Sequence, residues 1–261
     1  MERTVLQMRG IRKEFPGVIA LEDVDFDLKR GEVHVLFGEN GAGKSTLIKI
    51  ISGALEKTRG TIHINGQITP IQNPKHALQL GICTIYQELN LVPELTVAEN
   101  IFLGREPASR SGWIDNKNMN EKTAQILSNL SIDIDPELKI SSPSIAMRQM
   151  AEISKAISMD CRILILDEPT SALTWQEIKH LFTIIEKLKE ENVAIIYISH
   201  RIEEIFEIGD RVTVLRDGKV VGTRNIEDTQ QSELIQMMVN RELKEFYPPR
   251  SVEIGKESLR V

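Results

Sequence analysis

Apolar and polar residues alternate from Val5 to Phe15 and from Asp23 to Leu28, with Gly10 and Gly17 among them, and this period of two predicts short antiparallel strands. The segment Glu32-Val-His-Val-Leu-Phe37 is instead almost continuously apolar and stops at Gly38. Lys44 to Ser52 then takes helical spacing, with Gly53 as its stop. Strand, glycine loop and helix follow in that order. Alternation resumes from Thr61 to Thr69 around Asn65-Gly66, a dipeptide suited to tight hairpin turns, which predicts a second ribbon packed on the first. The N-terminal third thus reads as a small β-layer around one loop.

From Thr96 to Met159 the spacing is helical. Thr96 or Asn116 can cap, and Glu121 to Leu130 presents an amphipathic face. The pattern predicts a helical insertion, bordered by the polar stretches Arg110-Ser-Gly112 and Lys139 to Ser144. Strand and helix then alternate through Ile163–Leu166, Gln176–Lys189, Val193–Ile198, Ile202–Glu207 and Arg211–Leu215. That order predicts an α/β fold with a mainly parallel sheet and helices on its faces. Beyond Arg241 the chain turns polar, and Pro248-Pro249 reads as a linker.

Length and composition narrow the class. With 261 residues, 41% of them hydrophobic, the chain can bury a sizeable core. No stretch approaches the ~18 to 20 uninterrupted apolar residues of a membrane span; the segment from Arg162 to Leu166 is cut at once by Asp167 and Glu168. Met1 to Gly10 lacks the apolar block of a signal peptide, so a cytoplasmic location is expected. Cys83 and Cys161 each sit in an apolar stretch and read as buried thiols. A net charge of -6 with a pI near 5.5 argues against a phosphate-backbone footprint, so nucleic acid is not an expected partner.

The candidate chemistry gathers at strand ends. Gly38-Glu-Asn40-Gly41-Ala-Gly43-Lys44-Ser45-Thr46 matches the phosphate-binding pattern G-x-x-x-x-G-K-[ST] between a predicted strand and a predicted helix. Glycines allow a tight loop whose N–H groups face phosphate oxygens, the helix N-terminus adds positive potential, and Lys44 supplies charge to the outer phosphates. Ser45 would ligate Mg²⁺. Asp167 and Glu168 end an apolar strand, where an open α/β sheet puts its ligands. Asp167 suits the Mg²⁺ shell and Glu168 suits the attacking water. His200 follows the strand Val193–Ile198 and Ser199, which predicts the same sheet edge and a contact with the terminal phosphate. Gln87 follows Cys83-Thr-Ile-Tyr86, where its amide can touch Mg²⁺ or water without adding charge. Phe15 reads either as a stacking platform for adenine or as core.

Taken in order, Phe15, the Gly38–Thr46 loop, Gln87, the Ser144 region, Leu166–Glu168, Ser171-Ala-Leu-Thr174 and Ser199-His200 resemble the motif set of ABC transporter ATPase domains over residues 4 to about 240. The resemblance implies an α/β P-loop NTPase. Its RecA-like, mainly parallel sheet would carry an N-terminal antiparallel β-subdomain and an inserted α-helical subdomain at about 96–160. It further implies ATP and Mg²⁺ as cofactors, adenine stacking by Phe15, a membrane-subunit sensor in Gln87 and a γ-phosphate contact by His200. Finer details, Ile198-Ser-His-Arg-Ile-Glu-Glu-Ile205, Val214-Leu-Arg-Asp-Gly218, Met238-Val-Asn-Arg-Glu-Leu243 and Tyr247-Pro248, resemble the tandem ATPases of bacterial monosaccharide importers of the ribose and galactose types.

On that resemblance, residues 1–240 form the ATPase domain, 241–261 a linker, and Glu257-Ser-Leu-Arg-Val261 the opening strand of a second ATPase domain. Implied partners are that second domain, transmembrane permease subunits and, indirectly, a periplasmic sugar-binding protein, at the cytoplasmic face of the membrane. The signature L-S-G-G-Q is replaced by Pro143-Ser144-Ile145-Ala146-Met147, with Ser144 kept for contact with a partner domain's ATP. Thr174 stands where aspartate is common. Two other readings are a soluble ABC ATPase acting on ribosomes or DNA, for which basic arms or a coiled-coil insertion are expected, and an ATP-gated interaction domain with little turnover of its own.

Overall fold

The computed structural model describes residues 4–109 and 112–239. The linker expected beyond Arg241, the Tyr247-Pro248 pair and the strand expected at Glu257–Val261 lie outside the described residues, as do Arg110 and Ser111. Strands β1 (Thr4–Phe15) and β2 (Val18–Lys29) form a long antiparallel hairpin in which Phe15 pairs with Val18. β2 starts five residues before the expected Asp23. The apolar Val18-Ile-Ala-Leu21 hides the alternation because Val18 and Ile19 stay exposed beside a cleft.

β3 (Val33–Phe37) leaves this hairpin for a second sheet, and a glycine loop joins it to helix α1 (Lys44–Ile51). β4 (Arg59–Ile64) and β5 (Gln67–Ile68) then return as the expected hairpin around Asn65-Gly66, completing the first sheet in the order β2-β1-β4-β5. The glycine loop therefore springs from the second sheet and does not sit inside one small β-layer. The cause is visible in β3, every residue of which is buried, as befits an interior parallel strand covered on both faces.

A short helix α2 (Pro74–Gln79), capped by Asn73 with proline at its first position, leads into β6 (Ile82–Ile85). Helices α3 (Val97–Phe102), α4 (Asn116–Asn129) and α5 (Ile145–Ile157) make up the helical insertion. Thr96 caps α3 through a capping box. Asp115, and not Asn116, caps α4 by accepting the Asn118 N–H, so Asn116 is the first helical residue. β7 (Ile163–Asp167), α6 (Trp175–Glu190), β8 (Ala194–Ile198), α7 (Ile202–Ile208) and β9 (Arg211–Arg216) follow the expected alternation. β10 (Lys219–Asn225) adds an antiparallel edge, and α8 (Gln231–Val239) closes the described chain.

The second sheet runs β10-β9-β3-β8-β7-β6, parallel from β9 to β6. Its two faces feed two cores. Leu164, Leu166, Ile195 and Tyr197 pack under α5, α6 and the insertion, whereas Ile163, Ile165, Ile196 and Ile198 pack toward α1 and the antiparallel sheet. Each fully buried aliphatic side chain contributes about 1.5–3 kcal/mol. This double burial is why β7 and β8 read as unbroken apolar runs, and it leaves their carboxyl ends, where the candidate side chains sit, as the open edge. Cys83 and Cys161 are both buried thiols. Among the described residues no helix is long and apolar enough to cross a membrane.

Candidate active site

Helices α2 to α6 each begin under a side-chain cap, from Asn73, Thr96, Asp115, Ser144 and Thr174. α1 does not. Its N-cap is Gly43, at φ 105°, and no side chain bonds its first amides. The first N–H groups of a helix have no partner within it, so those of α1 are left to an incoming acceptor, reinforced by the helix dipole. They face a cleft of about 450 Å³ whose wall includes Asn40, Gly41, Gly43, Lys44, Ser45, Thr46, Asp167 and Glu168. Uncapped amides, a lysine and no acidic residue in the first turn suit this wall to a phosphate group.

Lys44 is buried and curls back on the loop, its Nζ donating to the carbonyls of Gly38 at 2.7 Å and Glu39 at 3.0 Å. Burial lowers its pKa, while Glu168 and Asp167 pull it upward. Asp167 is affected in the opposite sense: burial first, then the neighbouring Glu168, raise its carboxyl above the usual range against the pull of Lys44 and Lys49. Two carboxylates held side by side next to a desolvated lysine form a site short of positive charge. Asp167, Ser45 and phosphate oxygens are hard oxygen donors of the kind Mg²⁺ takes, and a divalent cation would relieve the raised carboxyl. These residues fit the ion.

Glu168 has a left-handed backbone, φ 48°, which for a residue with a side chain carries strain of roughly 1–3 kcal/mol. Surrounding bonds impose it. The Glu168 N–H donates to the Ile198 carbonyl at 3.1 Å. Two residues on, the Thr170 hydroxyl donates to Glu204 Oε2 at 2.9 Å, and the same oxygen accepts from Tyr197 at 2.9 Å and Ser199 at 2.8 Å. The Ser199 hydroxyl in turn accepts the Arg201 N–H. Buried Glu204 thus ties the turn after β7 to the turn after β8 and sets His200 against Glu168, Nδ1 to Oε1 at 3.4 Å. Glu168 and His200 also line a neighbouring cleft of about 520 Å³ with Gly38, Glu39 and Asn40.

Sequence reasoning missed Glu204. In Ile202-Glu-Glu-Ile205 nothing but the folded register distinguishes it from Glu203. It also missed Val18, Ile19, Ala20, Asp217 and Gly218 of the cleft wall. The Asp217-Gly218 turn is bonded to both neighbours, the Gly218 N–H donating to the Ala42 carbonyl and the Glu22 N–H to that of Gly218.

Three candidates lie outside both clefts. Phe15 is exposed at the end of the hairpin, beneath Lys13 Nζ at 5.1 Å from its ring, and pairs with the wall residue Val18. Gln87 is exposed, two residues beyond Ile85, whose parallel partner is Leu166; Glu168 lies two beyond Leu166, so the two share the sheet edge. Ser144 heads α5, accepting the Met147 N–H, and lines a separate 220 Å³ cavity with Ile132, Ala146, Met150 and His180. Thr174 caps α6, exchanging bonds with Glu177 in a capping box.

The uncapped helix, its glycine loop and the paired carboxylates at the sheet edge define a P-loop nucleotide-binding domain. The chain belongs to the ABC transporter family, whose model matches residues 21–171. It is 52% identical over 259 residues to "Ribose import ATP-binding protein RbsA 1" of Rubrobacter xylanophilus, covering 99% of this chain and 52% of the relative. It is 50% identical over 261 residues to "Putative ribose/galactose/methyl galactoside import ATP-binding protein 1" of Burkholderia cenocepacia, covering 100% of this chain and 50% of the relative. The chain thus spans about half the length of the curated relatives it matches. A crystal structure of an ATP-binding cassette of an ABC transporter in its ADP conformation superposes with a TM-score of 0.79 at 23% identity, covering 90% of this chain and 98% of that one. That likeness shows the fold: an ABC ATPase with an antiparallel sheet and a mostly parallel one.

Proposed function

We propose that this chain is one ATP-binding and ATP-hydrolysing half of a longer protein that powers import of a sugar of the ribose or galactose type. The observation that carries the chemistry is the cleft in which the uncapped amides of α1 and Lys44 face Asp167 and Glu168. The relatives named for ribose or galactose import, about twice as long as this chain, support the transport setting and the tandem arrangement. Residues 1–240 then form the ATPase domain and 241–261 a linker entering a second one. The partners are that second ATPase domain, permease subunits in the membrane and, through them, a periplasmic sugar-binding protein. The protein works at the cytoplasmic face of the membrane.

In this reading Gly38, Asn40, Gly41, Gly43 and the first turn of α1, with Ser45 and Thr46, cradle the phosphates. Lys44 leaves the carbonyls of Gly38 and Glu39 for the outer phosphates. Ser45 and Asp167 hold Mg²⁺, with Gln87 reaching it or the water from the shared edge. Bound there, the ion supplies charge neutralisation between the outer phosphates. Glu168 orients and polarises the water, His200 contacts the terminal phosphate and steadies Glu168, and Phe15 stacks on adenine beside Val18. Ser144 serves a neighbouring domain's nucleotide, consistent with its distance from this chain's own cleft.

The test is sugar uptake by cells carrying the intact protein with Glu168→Gln. Uptake of labelled ribose or galactose is expected to fall about 100-fold or more, the scale of losing a general base, while Mg-ATP binding persists. Undiminished uptake rejects the proposal.

A further inference from the structure

Among the described residues, one buried carboxylate has an oxygen that no donor reaches: Oε2 of Glu152. Glu152 lies on α5, is only 6% exposed, and its other oxygen accepts the N–H of Asn90 at 2.5 Å. Burial raises its carboxyl above the usual range despite that bond and Lys155 nearby. A half-satisfied carboxyl in this position carries a desolvation penalty that an apolar side chain would not, so the position is not optimised for packing.

Its location supplies a reason. Asn90 is three residues past Gln87 on the connection from β6 into the helical insertion. Glu152 is eight residues past Ser144 on α5, about 12 Å along a continuous helix. The connection is fastened again two residues on, where buried Asn100 accepts the Val92 N–H at 2.7 Å and donates to the carbonyls of Val92 at 3.1 Å and Thr96 at 2.9 Å. Between Gln87 on the sheet edge and this anchored stretch only Glu88 and Leu89 intervene.

We propose that Glu152 is a positioning residue that clasps the loop after Gln87 to the helix headed by Ser144, so that movement at Gln87 carries Ser144 with it. The clasp itself is a property of the fold, and its service to nucleotide-driven motion rests on the proposed ATP reading. Glu152→Gln keeps an oxygen for the Asn90 N–H, whereas Glu152→Leu keeps the bulk and removes the bond. A packing role would be met by leucine; a clasp would not.

The experiment is amide hydrogen exchange on the wild type and both variants, each first shown by thermal melting to be folded, with Glu152→Met in place of leucine if the latter does not fold. Without nucleotide, the Asn90 amide is expected to exchange at least tenfold faster in the leucine variant and near the wild-type rate in the glutamine variant. Equal rates in wild type and leucine variant overturn the clasp. With Mg-ATP, the Met147 amide, bonded to Ser144, is expected to change its exchange in wild type and Glu152→Gln but not in Glu152→Leu. An equal response in all three, or none in a nucleotide-bound wild type, overturns the transmission. A wild type that binds no Mg-ATP refutes the ATP reading instead, while the nucleotide-free arm still decides the clasp.

Discussion

Two glycines of the phosphate loop share a left-handed backbone but differ in what lies behind them, and alanine at each separates backbone strain from packing. A Cβ on Gly41, at φ 86°, would meet nothing within 4 Å. Only the left-handed penalty of about 1–2 kcal/mol applies there. A Cβ on Gly43, at φ 105°, would lie 2.7 Å from Leu21 Cδ2 and 2.8 Å from the Ala20 carbonyl oxygen, both on β2. The leucine can shift, but the carbonyl belongs to the wall that closes the cleft. Overpacking of this kind adds about 1–3 kcal/mol. Gly43→Ala is therefore expected to destabilise by roughly 2–5 kcal/mol, or about 4–20 °C in Tm for a domain of this size. Gly41→Ala should lower it by about 2–8 °C. Calorimetric melting without nucleotide measures both. If Gly43→Ala melts no lower than Gly41→Ala, close approach to β2 is not what requires glycine at position 43, and the account of the loop's seating is wrong.

Burial and Glu168 raise the Asp167 carboxyl, so the folded chain holds that proton more firmly than the unfolded one. The resulting stability is complete below the unfolded carboxylate range near about pH 4 and is lost as pH rises through the raised value. Asp167→Asn is therefore expected to melt higher than wild type at neutral pH, with the difference vanishing on acidification; a variant that melts lower at neutral pH contradicts the electrostatic reading. Ser144→Ala removes a helix cap worth about 1 kcal/mol, so Tm should fall by about 2–4 °C. Mg-ATP affinity of this chain should stay unchanged in a binding titration, because Ser144 lies outside the cleft.

The phosphate loop was legible because its chemistry is local: glycines, lysine and serine within a few residues, between a strand and a helix whose periods are unmistakable. The interior strands were legible for a related reason, since burial on both faces leaves an unbroken apolar run such as Ile163–Leu166. What could not be read depends on distant pieces meeting. Val18 and Ile19 are exposed apolar residues that break the alternation of their strand, and only the folded hairpin makes them a wall for the cleft. Glu204 looks like one more acidic residue of a short helix until three hydroxyls converge on it. Glu152 likewise sits in an ordinary amphipathic pattern, and its significance comes from a backbone N–H far away in sequence. The helix α2 did carry a local signal, Asn73-Pro74 as cap and first residue, which periodicity alone passes over because six residues are too few to show a face.

The central claim is that the uncapped amides of α1 and Lys44 receive a nucleotide's phosphates, and calorimetric titration of Mg-ATP into wild type and Lys44→Ala tests it most directly. Saturable binding by wild type is expected, weakened roughly 10- to 100-fold in Lys44→Ala, the scale of a charge-assisted hydrogen bond. No binding by folded wild type, or equal affinity in the two proteins, would contradict the account.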